Sequence, residues 1–154
     1  MRTLLANLSD PAHQEAIVSL LDMYCRDEFG ASKPLSEEAK RRLVPGLIEH
    51  GGARVFLAYD GERAVGLAIC LKGFSYFRAR ALLNIHDIAV APDYRGRGVG
   101  RALLEAVELE ARQFGGCKLT LEVRADNELA KGLYERFGFH ATEPQTWFWS
   151  KELE

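Results

Sequence analysis

The stretch Leu82-Leu83-Asn84-Ile85-His86-Asp87-Ile88-Ala89-Val90, followed closely by Arg95-Gly96-Arg97-Gly98-Val99-Gly100-Arg101, decides how this chain is read. Residues 81 to 90 are largely apolar and predict a central strand. Leu103, Ala106, Val107 and Phe114 share one helical face and predict a helix over about 98 to 114. A strand therefore runs into a glycine loop that opens a helix. Glycine lets the backbone turn tightly and approach a ligand, while the free N–H groups and dipole at the helix start favour an anion. A pyrophosphate fits that geometry, and Arg95, Arg97 and Arg101 add positive charge. The same residues also suit a plain glycine-rich connection with solvated arginines. Two nucleotide motifs fail here. A P-loop needs Gly-Lys-Ser/Thr after its glycines, and none is present. The dinucleotide fingerprint needs a glycine where Leu103 or Arg101 stands, counting from Gly98 or Gly96.

Working outward, residues 3 to 8 read as a first strand. Asp10-Pro11 caps and starts a helix carrying Ile17, Leu20, Leu21 and Tyr24 at helical spacing. Ser36-Glu37-Glu38 opens a second helix, ending near Pro45 or at Gly51-Gly52. Residues 53 to 59 and 63 to 72 form a hairpin about the Asp60-Gly61 turn, because Asp-Gly readily supplies positive φ. Beyond the glycine loop and its helix come a strand over 117 to 123, a short helix over 127 to 137, and a closing strand over 145 to 152 containing Trp147, Phe148 and Trp149. The expected architecture is α/β: a mixed, mostly antiparallel sheet of about six or seven strands flanked by about four helices. No repeat or linker-like tract interrupts it, so residues 1–154 read as a single domain.

Composition excludes several classes. The chain is 47% hydrophobic and 27% charged, with no apolar run long enough to span a bilayer, so a soluble protein without a membrane partner is expected. Residues 1 to 11 reach a polar helix start too early for a signal-peptide core, which predicts a cytoplasmic protein. Cys25, Cys70 and Cys117 are odd in number and lack metal-type spacing, so free thiols and no metal site are expected. A net charge of −2 provides no global field for nucleic acid.

The spacing Arg95-x-x-Gly98-x-Gly100 after Ile88-Ala89-Val90 resembles the acetyl-CoA signature of the GNAT superfamily. Downstream, Asn127-x-x-Ala130-x-x-x-Tyr134-x-x-x-Gly138-Phe139 is similar to a second segment of that family, in the expected order. The two motifs cover residues 82 to 139, whereas residues 1 to 80 match only in the order of elements. The resemblance implies an N-acetyltransferase moving an acetyl group from acetyl-CoA to a primary amine by direct attack in a ternary complex. A small amine or amino-acid-like acceptor is expected; the alternatives are a peptide or protein N-terminus, or a non-catalytic acyl-CoA-binding module.

Residue roles follow from the same resemblance. It implies a β-bulge in the fourth strand, with Ile88, Ala89 and Val90 offering main-chain groups to the pantetheine arm and an N–H to the thioester carbonyl. Arg95, Gly96, Arg97, Gly98, Val99, Gly100 and Arg101 would hold the pyrophosphate, and Asn127 would touch the pantetheine chain. Tyr134 matches the position whose hydroxyl protonates the departing thiolate, although a tyrosine beside Leu133 and Phe137 also simply packs. Glu122, His86 and Asp87 are candidates for the base, and each serves a structural role equally well. Helices one and two, the loop 73 to 80 and the closing strand would line the acceptor site, with Phe29, Phe74, Tyr76, Phe77, Trp147 and Trp149 near Asp27 and Glu28. The aromatic tail would pair at a sheet edge or across a homodimer.

Overall fold

Local signals place most elements of the structure, a computed structural model describing residues 1–153. Helix α1 (Pro11–Cys25) starts where Asp10 accepts the N–H of Ala12 at 2.9 Å, with Pro11 in the first turn. Helix α2 (Glu37–His50) starts where Ser36 Oγ accepts the N–H of Ala39 at 3.1 Å. It passes through Pro45 and ends at Gly51, whose φ of 71° forms the left-handed cap. Gly51, not Pro45, is therefore the stop.

The strands β1 (Arg2–Leu5), β2 (Ala53–Asp60), β3 (Arg63–Ser75), β4 (Arg80–Val90) and β5 (Leu119–Leu121) form one sheet in the order β1-β2-β3-β4-β5. Every neighbouring pair is antiparallel except β4 and β5. Parallel strands need a crossover, and helix α3 (Val99–Gln113) supplies it. Helix α4 (Glu128–Phe137) follows β5.

Alternation along β2 and β3 separates two cores. Val55, Leu57, Leu67 and Ile69 face α1 and α2, packing on Ile17, Leu20 and Val44. Phe56, Ala58, Ala68 and Cys70 face α3, packing on Val99, Leu103, Leu104 and Val107 with Tyr134 of α4. Leu57, Leu67 and Leu103 are wholly buried. Burying a side chain of that size contributes about 1.5–3 kcal/mol.

Two expectations need correction. The sheet has five strands among the described residues, not six or seven, and β5 is shorter than the expected 117 to 123. No strand forms over 145 to 152, where Trp147, Phe148 and Trp149 are 76%, 78% and 86% exposed. Bulky aromatics favour strands only when a neighbouring strand accepts them, and among the described residues no strand pairs with this segment. Among the described residues, no helix is long and apolar enough to cross a membrane.

Candidate active site

The site begins with a phase change in β4. The strand pairs with β3 from end to end, but with β5 only where Leu83, Asn84 and Ile85 meet Leu119, Thr120 and Leu121. Beyond Ile85 the two parallel strands part. On the β3 side the register steps from Cys70↔Ile85 to Ile69↔Asp87, which leaves His86 as the extra residue of a β-bulge. The Leu83 N–H points to β5, donating to Lys118 O at 3.2 Å, whereas the Ala91 N–H points to β3, donating to Val65 O at 2.9 Å. Both residues are odd-numbered, so an unbroken strand would aim them the same way; the extra residue reverses the sides. Ile88 and Val90 consequently aim their N–H and C=O groups into the gap that β5 leaves, while Ala89 faces β3. The expected bulge thus lies at His86, ahead of Ile88-Ala89-Val90, and its effect is to turn the main chain of Ile88 and Val90 away from β3.

The open edge leads to the glycine loop. Gly96 and Gly98 have φ of 73° and 84°, and Gly98 begins α3 without a side-chain cap. The first N–H groups of α3 are therefore left for an external acceptor, the arrangement that binds phosphate. Gly100 serves packing instead, since a Cβ there would stand 2.9 Å from Leu133 Cδ2 of α4. The expected cluster of free arginines is largely committed. Arg101 pairs with Glu105 at 2.9 Å, Arg97 lies over the Tyr94 ring, and Arg95 pairs with Asp27 at 2.7 Å. The three partners differ in kind: an acidic residue one helical turn on for Arg101, a nearby aromatic ring for Arg97, and for Arg95 a carboxylate on the loop after α1.

Helix α4 holds the other half. Asn127 caps it by accepting the N–H of Ala130 at 3.1 Å, so its side-chain oxygen is engaged in the helix start. Tyr134 is 7% exposed and its ring meets Phe139 edge-on at 5.8 Å. Its hydroxyl has no partner among the described residues yet keeps contact with solvent, since no side-chain polar atom there is sealed off unpaired. Burial pushes the Tyr134 phenol well above its ordinary range, and Tyr24 and Asp87 push it further. Burial likewise raises the half-buried Asp87 carboxyl, with His86 offsetting part of the shift. Tyr24 is also raised, by burial and then by Asp87, while its hydroxyl donates to Phe29 O at 3.2 Å. Asp87, Tyr24 and Tyr134 therefore sense one another's charge.

His86 and Glu122 take a different position. Both are exposed, and each directly follows the last β4–β5 pair, Ile85 and Leu121, at the point where the strands part. They form the solvent rim of the gap that Asp87 and Tyr134 flank from within.

The loop after α1 closes over this end of the sheet. Arg124, from the connection after β5, donates to Glu28 O at 2.9 Å and lies 5.4 Å over the Phe29 ring. Arg95, from the connection after β4, holds Asp27. Phe29, Asp27 and Glu28 thus lie against the connections that follow β4 and β5. Phe74, Tyr76 and Phe77 do not. They sit at the β3–β4 turn, at the opposite end of β4, where Arg80 donates to Gly115 O at 2.9 Å. The tail aromatics are exposed. Two neighbours escaped the sequence reading. Tyr24 stands in the sequence as the last position of a helical stripe, and nothing in the sequence singles out Arg124; only a tyrosine ending an otherwise aliphatic stripe hints at the first.

With this geometry in place, comparison with known proteins is informative. The acetyltransferase (GNAT) family model matches residues 17–139. A [ribosomal protein bS18]-alanine N-acetyltransferase of Escherichia coli (strain K12) is 37% identical over 92 residues, covering 56% of this chain and 62% of that enzyme. The matched part of the chain thus spans less than two thirds of that relative. An aminoglycoside N(6')-acetyltransferase type 1 of Acinetobacter baumannii is 31% identical over 119 residues, covering 75% of this chain and 82% of that one. Among solved structures, a ribosomal-protein-alanine N-acetyltransferase from Brucella melitensis superposes with a TM-score of 0.72 at 23% identity, covering 100% of this chain and 99% of that one.

Proposed function

The chain belongs to the GNAT acetyltransferase family, and from that premise we propose that it transfers an acetyl group from acetyl-CoA to a primary amine by direct attack in a ternary complex. The observation that carries this reading is the main-chain edge of Ile88 and Val90, left unpaired by β5 and leading into the uncapped start of α3, with Tyr134 packed in the same cluster as these two residues. Acetyl-CoA supplies the activated acyl thioester. Val99, Gly100 and Arg101 offer main-chain N–H groups to its pyrophosphate, with Arg97 adding charge. The main chain of Ile88 and Val90 takes the pantetheine arm, and an N–H of this edge faces the negative charge that builds on the carbonyl oxygen. Asn127 fixes the start of α4 and so the position of Tyr134.

The acceptor must arrive as a neutral amine, yet an alkyl ammonium has a pKa of about 10.4. Asp87 is the base favoured here, because burial raises its carboxyl toward the working range and it flanks the gap with Tyr134. His86 and Glu122, on the rim, relay the proton to solvent. Tyr134 is protonated before attack, gives its proton to the departing sulfur and regains one from solvent. A small amine or amino-acid-like acceptor fits a site closed over by the loop bearing Asp27 and Phe29. A second reading, a peptide N-terminus, draws on the likeness to the bS18-alanine enzyme and on Glu122 standing at the mouth. Release of free thiol from acetyl-CoA, followed over a panel of small amines, aminoglycosides and alanyl peptides, tests both. Thiol release with small amines and none with peptides supports the first; the reverse supports the second; none with either contradicts the proposal.

A further inference from the structure

Arg95 belongs to the glycine loop by position, yet its exposed side chain reaches back to β4 and across to the loop after α1. Its Nε donates to Val90 O at 3.2 Å and one terminal nitrogen donates to Asp27 Oδ2 at 2.7 Å. The first contact occupies a carbonyl of the open β4 edge. The second neutralises a carboxylate on the loop that closes over the acceptor end. Asp27 is held there rather than drifting: its Oδ1 accepts the Phe29 N–H at 3.1 Å, and the Arg95 guanidinium beside it keeps its carboxyl below the usual range. Arg95 directly precedes Gly96, where a pyrophosphate would present two negative charges against the single one of Asp27.

We propose that Arg95 is a charge latch, closed on Asp27 and Val90 in the free protein and opened by the pyrophosphate of the CoA substrate. Transfer of the guanidinium frees Val90 O for the pantetheine arm and leaves Asp27 as an unpaired carboxylate at the acceptor mouth. A cationic amine then meets that carboxylate only after the CoA substrate is seated. The inference rests on the acetyl-CoA reading above. Arg124 keeps Glu28 and Phe29 in place meanwhile, because its contacts do not involve Arg95. The loop is therefore not released along with the latch.

A double-mutant cycle on CoA affinity, measured by calorimetry with CoA itself as the probe, tests this. Asp27→Asn keeps the shape and removes the competitor for Arg95, so CoA should bind about two- to fivefold tighter, the size of an exposed ion pair. In an Arg95→Gln background the same Asp27→Asn change should have no effect, because the group it competes for is gone. A gain that persists in the Arg95→Gln background marks general charge repulsion and overturns the latch. Unchanged affinity in a folded Asp27→Asn variant with lowered thermal stability marks a purely structural pair and overturns it equally. Should Arg95→Gln fail to fold, Arg95→Lys gives the second background, in which the Asp27→Asn gain should persist, and its loss there would count against the latch. Absence of CoA binding by the unmodified chain contradicts the acetyl-CoA reading itself, so the two failures are distinguishable.

Discussion

Replacing Tyr134 with phenylalanine removes one oxygen from a side chain whose ring is 7% exposed and meets Phe139 at 5.8 Å. The ring, its contacts and the Gly138 cap that ends α4 remain. The hydroxyl has no protein partner among the described residues, so no buried acceptor is orphaned and thermal stability should change by less than about 1 kcal/mol. Turnover should respond otherwise. Positioned proton donors contribute about 10²–10⁴-fold, which corresponds to about 3–5 kcal/mol of barrier. Because burial raises the Tyr134 phenol above the ordinary tyrosine value of 10.0, the proton stays in place over the whole assay range, and the loss should be uniform with pH up to that value. The raised folded-state value also means that Tyr134 supports stability fully below its unfolded pKa and loses that support as pH climbs through the folded one. The phenylalanine variant should lack this alkaline loss. The assay is thiol release with an acceptor for which chemistry limits the rate, beside calorimetric CoA affinity. Near-full turnover at every pH in a folded variant would refute the donor role and leave water to protonate the thiolate.

Other outcomes follow from the same geometry. Gly98→Ala should weaken CoA binding only slightly, because a Cβ at Gly98 meets no atom and only the positive φ resists it, at about 1 kcal/mol; Gly98→Asp adds a negative charge against the pyrophosphate and should weaken binding far more, so equal losses by calorimetry would argue against a phosphate there. Asp87 has a raised folded-state pKa, so its contribution to stability is full below 3.8 and falls as pH rises through the folded value; Asp87→Asn should therefore be more stable than the parent near neutrality, matched to it in acid, and about 10²-fold or more slower, and a loss of stability near neutrality would contradict the burial argument. Asn127→Ala removes the α4 cap and should lower stability by about 0.5–2 kcal/mol, with Asn127→Asp restoring most of it in urea unfolding. The exposed Trp147, Phe148 and Trp149 suit a homodimer, so light scattering should give twice the chain mass, falling to one when residues 145 to 153 are removed; a monomer for the intact chain would exclude that pairing.

Much of this was legible in the sequence because it is local. Asp10-Pro11, Ser36, Asp60-Gly61 and Asn127 carry their capping or turn chemistry with them, and Ile17, Leu20 and Leu21 repeat at the helical period. The glycine loop is read from six consecutive residues. The bulge was also written there, though less plainly. Apolar side chains on the α3 face fall at Leu83 and Ile85 and then at Ile88 and Val90, so the step of two becomes a step of three across His86. What could not be read joins distant positions. Asp27 meets Arg95 across 68 residues and Glu28 meets Arg124 across 96, and charges at such separations leave no periodic trace. Phe74, Tyr76 and Phe77 looked like acceptor-site residues on aromatic character alone, which says nothing about the end of β4 they occupy. The tail has strand-like composition, but a strand requires an edge to pair with, and that is a property of the assembled sheet.

Direct attack of the amine on the acyl carbon is the claim on which the rest depends. A single-turnover experiment tests it, with protein in excess over acetyl-CoA labelled in its acetyl carbonyl and an accepting amine identified by thiol release. The account predicts that label passes from CoA to the amine in one step, with none on the protein at any time and no thiol release when the amine is omitted. Label accumulating on the chain before the amine is added, at Cys25 or elsewhere, would contradict it.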